Sequence, residues 1–389
     1  MKILIVYPTF THPINSGNKQ WVNSQAELLI KLGHDVHMLC INIPGMHYDK
    51  QNNQKAYKLT KNIWKNKLQV YNASIFERIK SSIVMNYRKY TNDGYYNCDD
   101  LYPNGLTEFV NKLNLKENFD ACIVNYYWLS KLLENSNIPI TAINTHDVFS
   151  FRNIATHSKT AWMCTYPNEE AIALQRAKYI FALQDEEASY FTHLSPNSQI
   201  LKVYCPYKIH DYKFLHNHNL VMLASSNPLN VAGFKWFYKN IFPDIIANFP
   251  DVKFVIGGYI CEKIKEICSQ DKHIKLIGTV DDPRDLYEYG DIAINPCTDG
   301  TGLKIKTFEA LSYGKIVMTH PHSVKVIYNK MNAPVFYSKI SSEWIDFLKT
   351  MWSSDTTIIE NKCKESINYI KSMNEYIIEQ YHKFTSFKK

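Results

Sequence analysis

Twice along this chain, short apolar runs alternate with helical patterns, and that alternation limits the fold more than any other feature. The first stretch reads as a strand over about 2–7, a polar loop at 13–18, and a helix over about 18–32. Trp21, Val22, Ala26, Leu29 and Leu32 recur at helical spacing there, with Gly33 at the C-cap position and a second strand at 35–40. Strand, helix and strand in so short a span form a βαβ unit, which requires a parallel sheet. Further runs at 119–124, 138–143, 179–183 and 199–204 extend it. The alternation restarts with strands at 220–224, 252–256, 274–277, 292–295, 316–319 and a weak one at 335–337. Helices are expected between them at 231–248, 260–269, 283–289 and 304–313. With 389 residues, too many for one core, the class is α/β: two Rossmann-like, doubly wound domains. The join falls within 205–219, and a helical pattern over about 356–385 closes the chain.

Composition narrows the function. Hydrophobic residues at 45% and charged ones at 21% belong to a globular protein. No run approaches the ~18 apolar residues of a membrane span, and the N-terminus reads as a strand, not a secretory signal. Nine cysteines with no C-x-x-C argue against a disulfide framework or zinc ribbon and fit a reducing cytosol. The pairs His216/His218 and His320/His322 lack a third ligand at metal spacing, so no metal is expected. Glycine is scarce, 13 in all, yet eight of these lie between 233 and 314. Glycine concentrates where backbone turns sharply or approaches a ligand, which directs attention to the second half. The first βα turn has no G-x-G-x-x-G, and no P-loop, H-E-x-x-H or G-x-S-x-G occurs. Dehydrogenase, P-loop, zincin and esterase readings fall away.

The densest string is Asn295–Gly314, NPCTDGTGLKIKTFEALSYG, which reads as strand end, glycine loop and helix start. Backbone N–H groups at a helix N-terminus beside Lys304 and Lys306 suit a diphosphate, and Glu309, one turn beyond Lys306, suits ribose hydroxyls. Both Lys306 and Glu309 are read as exposed residues whose removal leaves the fold intact. The string resembles the donor-site signature of GT-B glycosyltransferases of family 4, the group 1 glycosyl transferases, with pattern G-[TG]-x-L-K-x-x-x-E-A-x-x-x-G. Lys306, Glu309 and Gly314 match its Lys, Glu and closing Gly. Ser225–Pro228 with Gly233, Val255–Gly258, Ile277–Val280 with Asp291–Pro296, and Asn15–Gly17 with Leu29, Gly33 and Val36 resemble further segments of that family.

The resemblance implies a GT-B fold whose two domains face across a cleft. Residues 1–208 would bind acceptor, 209–355 would bind the nucleotide-sugar donor, and the helix of 356–389 would cross back to the first domain. The donor would meet Gly17, Ser226, Asn227, Gly257, Val280, Gly300, Thr301, Gly302, Leu303, Lys304, Lys306 and Glu309. Two positions depart from the pattern. Asn227 stands where many members carry cationic diphosphate ligands, which leaves that charge to Lys304 and Lys306, and Thr301 replaces a Glu that contacts the transferred sugar. In the first domain, Asn144-Thr145-His146-Asp147 ends a strand, where open α/β sheets place ligands. His146 would hydrogen-bond the sugar or stabilise the leaving phosphate, and Asp147 would orient it or help with the acceptor proton. Lys306 completes the catalytic set.

The expected activity is transfer of a sugar from a nucleoside diphosphate, UDP or GDP, to a glycan or lipid-linked acceptor. Retention and independence from metal and cofactor are implied by the family, as is a role in polysaccharide or glycoconjugate biosynthesis. A nucleotide-sugar epimerase of the same fold and a non-catalytic nucleotide-sugar binder are the alternatives; a nucleic-acid partner is not expected. Residues 49–93 hold ten Lys/Arg against three acids, a local +7 equal to the net charge of the whole chain, interleaved with Tyr57, Trp64, Tyr71, Phe76, Tyr87 and Tyr90. That composition suits an anionic membrane surface, hence a cytoplasmic protein at the inner face of the cell membrane.

Overall fold

The computed structural model describes residues 1–14, 16–42, 50–91, 94–155, 163–300, 304–353 and 355–386. Two compact units emerge: Met1–Pro206 with Ile377–Lys389, and Tyr207–Tyr376.

The first unit is built on seven strands: β1 (Lys2–Tyr7), β2 (Asp35–Asn42), β3 (Leu68–Asn72), β4 (Ala121–Asn125), β5 (Ile140–Asn144), β6 (Tyr179–Ala182) and β7 (Gln199–Lys202). All pair in parallel, in the order β3-β2-β1-β4-β5-β6-β7, with Ile3 opposite Val36 on one side and Ala121 on the other. Ile3 to Val6 are wholly buried. A strand covered on both faces carries an unbroken apolar run, which is why it is legible. The strand order reverses between β1 and β4, so the crevice beyond their C-terminal ends is the place for a ligand.

The second unit repeats the plan with β8 (Asn219–Leu223), β9 (Lys253–Gly257), β10 (Ile274–Gly278), β11 (Ile292–Asn295), β12 (Ile316–Thr319) and β13 (Val335–Tyr337), in the order β10-β9-β8-β11-β12-β13. Phe234, Phe237, Phe242, Phe254 and Trp344 form the centre of its core. The reversal lies between β8 and β11.

Three details differ from the sequence reading. The helix expected over 231–248 is two, Pro228–Asn240 and Phe242–Asn248, because Pro243 has no N–H for the continuing ladder and its ring clashes with the preceding turn. Residues 50–91 contribute an edge strand, β3, between the helices Lys50–Trp64 and Ile75–Thr91. A helix at Ser341–Met351 adds Trp344 to the core.

The terminal helix, Thr356–Thr385, ends in the first unit. There Tyr381 and Phe384 are fully buried, and Phe384 sets its ring edge against Phe181 (5.2 Å) and Tyr179 (5.3 Å). All nine cysteines are buried, and none is in a disulfide. No helix among the described residues is long and apolar enough to cross a membrane.

Candidate functional site

In the second unit the candidate residues gather at the C-terminal ends of β8, β9, β10 and β11, around the strand reversal. Beyond β8, Ser225, Ser226 and Asn227 are exposed. Asn227 caps the helix Pro228–Asn240 by accepting the Leu229 N–H at 2.9 Å, an ordinary N-cap contact. That helix runs close under the next loop: a Cβ on Gly233 would lie 2.6 Å from the Pro296 carbonyl oxygen, so only glycine fits. Gly257 ends β9 and is buried, and Val280 follows β10, half-buried.

The loop after β11 turns at Gly300, whose φ of +97° is easy only for glycine. Thr301, Gly302 and Leu303 lie outside the described residues. Lys304 stands at the N-cap of the helix Ile305–Ser312, and its ammonium donates back to the carbonyls of Asp299 (3.2 Å) and Gly300 (2.9 Å). It closes the loop on itself. His322, from the turn after β12, holds the other side of the loop through Nε2 and the Gly300 carbonyl at 2.9 Å.

On the helix, Lys306 Nζ lies 3.2 Å from both oxygens of Glu309. The Lys306 side chain is 39% exposed and that of Glu309 only 8%. Glu309 is therefore a buried acid, not the exposed one expected. Six of the helix's eight residues, Thr307 to Ser312, are buried, so the helix is enclosed on most sides and Glu309 is enclosed with it. Tyr287, itself buried, donates its hydroxyl to Glu309 Oε1 at 3.3 Å; burial first, then the nearby Glu309 charge, pushes the phenol well above its ordinary range. A carboxylate fixed by one phenol and one partly exposed ammonium is a preset acceptor. The cation beside it is accessible to an anion.

In the first unit the site forms where β1, β4 and β5 end. His146 follows β5 with φ +67° and Tyr126 follows β4 with φ +75°, both unusual for residues with a Cβ. Their rings stack at 4.1 Å, Trp128 stacks on Tyr126 at 4.4 Å, and Trp21 meets the imidazole edge-on at 4.6 Å. This packing depresses the His146 pKa to about 3 through desolvation, so the ring is neutral at neutral pH. Its hydrogen bond goes to Asn125 Oδ1 at 2.8 Å, not to Asp147. Asp147 instead accepts its neighbour Val148's N–H (3.0 Å) and pairs with Arg152 (3.3 Å). Gly17 begins the helix Gly17–Lys31, and on its first turn Asn18 donates to the Tyr126 hydroxyl at 2.5 Å. As site residues Asn125, Tyr126 and Trp21 escaped the sequence reading, which placed Trp21 only in a helical pattern; the one signal for Asn125 is a polar residue closing an apolar strand.

Among the described residues no cluster of His, Cys, Asp and Glu is arranged to hold a metal ion. His320 faces Trp236 edge-on and accepts the His322 N–H, a local turn contact.

Comparison with known proteins agrees with this architecture. Residues 217–352 match the family model Glycosyl transferases group 1. An uncharacterised 44.6 kDa protein of the Klebsiella pneumoniae cps region is 23% identical over 332 residues, 80% of each chain. Anabaena HepE, solved with UDP-glucose, superposes with a TM-score of 0.62 at 12% identity over all of both chains. The pneumococcal O-GlcNAc transferase GtfA, solved with UDP and GlcNAc, gives 0.65 at 10% identity over 99% of each. At such identity these structures speak to the fold, which is that of GT-B glycosyltransferases. By this fold and by its group 1 domain at 217–352, the chain is a glycosyltransferase.

Proposed function

We propose that the enzyme moves a sugar from a uridine or guanosine diphosphate donor to a glycan or lipid-linked acceptor, with retention and without metal, in surface-polysaccharide synthesis. The second unit holds the donor, and the first unit holds the acceptor. The observation that carries this reading is the Lys306–Glu309 pair on the helix leaving β11, beside the strand reversal. Glu309 accepts the ribose hydroxyls, while Lys306 and the helix N-terminus take the charge that grows on the departing diphosphate. Cationic stabilisation of that kind needs no divalent ion. The Klebsiella relative's place in a cps region favours a polysaccharide setting, and the complexes of HepE and GtfA favour uridine. A thermal-shift screen of UDP-, GDP-, ADP- and CMP-linked sugars tests the donor. At 100 times its Kd a ligand adds ~2.7 kcal/mol of stability. A shift with a UDP- or GDP-sugar is expected; no shift with any of the four refutes the reading.

The acceptor side includes an anionic membrane. The helix Ile75–Thr91 exposes Ile75, Phe76, Ile79, Ile83, Tyr87 and Tyr90, at 52–84% each, recurring at helical spacing along one side. The neighbouring helix Lys50–Trp64 carries Lys55, Lys58 and Lys61, all exposed and in no ion pair among the described residues. Apolar side chains entering the interface, with roughly 1 kcal/mol per basic residue near anionic headgroups, suit surface binding without a span. Vesicles containing phosphatidylserine are expected to bind the protein, and a Lys55/Lys58/Lys61→Gln variant to bind them less. Equal binding of both proteins, or equal binding to purely zwitterionic vesicles, would count against the membrane.

A further inference from the structure

A line of buried amides runs behind His146. Asn125 is wholly buried, and its Nδ2 donates to the Val6 carbonyl at 2.9 Å, which fixes the amide the only way round, with Oδ1 toward His146. Oδ1 receives Asn144 Nδ2 at 3.1 Å as well as the imidazole Nε2 at 2.8 Å. Asn144 Nδ2 spends its other hydrogen on Gln25 Oε1 at 2.8 Å, and Gln25 Nε2 donates to the Tyr381 hydroxyl at 2.8 Å. Every amide in the line has one orientation because the Val6 carbonyl can only accept. An imidazole without hydrogen on Nε2 would set a lone pair against the Asn125 oxygen.

We propose that Asn125 is a positioning residue that locks His146 as the Nε2–H tautomer, leaving Nδ1 a bare acceptor for a substrate hydroxyl. Two observations agree. His146 is only partly buried, and its Nδ1 has no hydrogen-bond partner among the described residues and is not among their fully buried unpaired polar atoms. The residue makes no ion pair among the described residues, so nothing holds a second proton on the ring. Of the two roles expected for His146, donation to a departing phosphate is thereby removed, and acceptance from an O–H remains. Tyr381 makes the end of the terminal helix the far support of the same line.

The hydroxyl role rests on the glycosyl-transfer reading; the tautomer does not, and the test separates them. Two-bond 1H–15N correlation on protein labelled with 15N-histidine reads the tautomer at pH 7, with the His146 signals assigned by their loss in His146→Gln. Wild type should show a protonated Nε2 and an unprotonated Nδ1, and a protonated Nδ1 overturns the proposal whatever the enzyme does. In Asn125→Ala the tautomers should mix, and transfer from UDP-glucose or UDP-N-acetylglucosamine should show a kcat lower by roughly 3- to 10-fold, the worth of one hydrogen bond. A folded Asn125→Ala that keeps both the pure tautomer and wild-type kcat overturns it too. If that variant does not fold, the wild-type spectrum alone decides. Absence of turnover by wild type with every nucleotide sugar would count against the function while leaving the tautomer readable.

Discussion

Removing the carboxylate of Glu309 has two separable consequences. In the free enzyme Glu309 accepts from Tyr287, which is buried, and from Lys306, whose side chain is 39% exposed. Truncation to alanine strands the phenol hydroxyl, and a buried donor without a partner costs about 1–3 kcal/mol. The Lys306 contact adds less, because water replaces it. In the complex, hydrogen bonds from ribose hydroxyls to a charged acceptor are worth ~1.5–3 kcal/mol, so donor affinity should fall roughly 10- to 100-fold. Glu309→Gln, which can still accept from Tyr287, should recover most of the stability and little of the affinity. Lys306→Ala should lower kcat more than affinity, since its charge matters most as the diphosphate departs. Because the two residues touch, the double variant should deviate from additivity by ~0.5–3 kcal/mol. The measurements are urea unfolding, donor titration and turnover for the three single variants and the pair. Near-wild-type affinity and kcat in folded Glu309→Ala and Lys306→Ala would show that the loop after β11 is only a turn.

Two further expectations concern the frame. Gly233→Ala sets a methyl 2.6 Å from the Pro296 carbonyl oxygen, backbone that cannot swing aside, and should cost ~1–3 kcal/mol in urea unfolding with the loop before Gly300 displaced; an unchanged midpoint would refute the close approach. Glu187 is buried and its pKa is pushed up to about 8, by desolvation first and the Asp147 charge next, so the folded carboxyl keeps a proton that the unfolded chain has released. A raised folded pKa gives stability that is lost as pH rises. The histidines whose pKa burial lowers, His12, His34, His146, His210 and His320, act in the opposite sense until the unfolded chain has released their protons, about a unit above 6.5. The stability of wild type relative to Glu187→Gln should therefore fall by about 1.7 kcal/mol from pH 6.5 to 8, the slope of ~1.4 kcal/mol per pH unit easing as pH nears the folded pKa; equal pH dependence in the two proteins would exclude Glu187 as a source.

What the sequence discloses depends on how local the determinant is. Strands buried on both faces, such as Ile3–Val6, announce themselves as apolar runs, whereas β3, half-exposed at the sheet edge with Gln69 and Asn72 in it, carries no such pattern. Lys306 and Glu309 are legible because three residues is the spacing of one helical face. Burial of Glu309 is not, since it depends on Tyr287, 22 positions away. Asn125 is harder still: its partners are Val6, 119 positions earlier, and His146, 21 later, and only the sheet brings them together. His146 was legible as a polar residue at a strand end, but which atom it presents is decided by that distant amide.

The buried thiols have a practical consequence. Cys40 and Cys122 sit in strands β2 and β4 of the first sheet and Cys261, Cys268 and Cys363 belong to the second unit, and burial raises Cys40, Cys122 and Cys363 to about 12. Only a thiolate attacks an alkylating reagent, and a buried thiol forms one only when the surrounding structure opens. The native enzyme should therefore tolerate such reagents, and each cysteine modified in a timed exposure records an opening of its own unit. Peptide mapping after pulses of iodoacetamide would give an unfolding rate for each unit from unlabelled, unmutated protein.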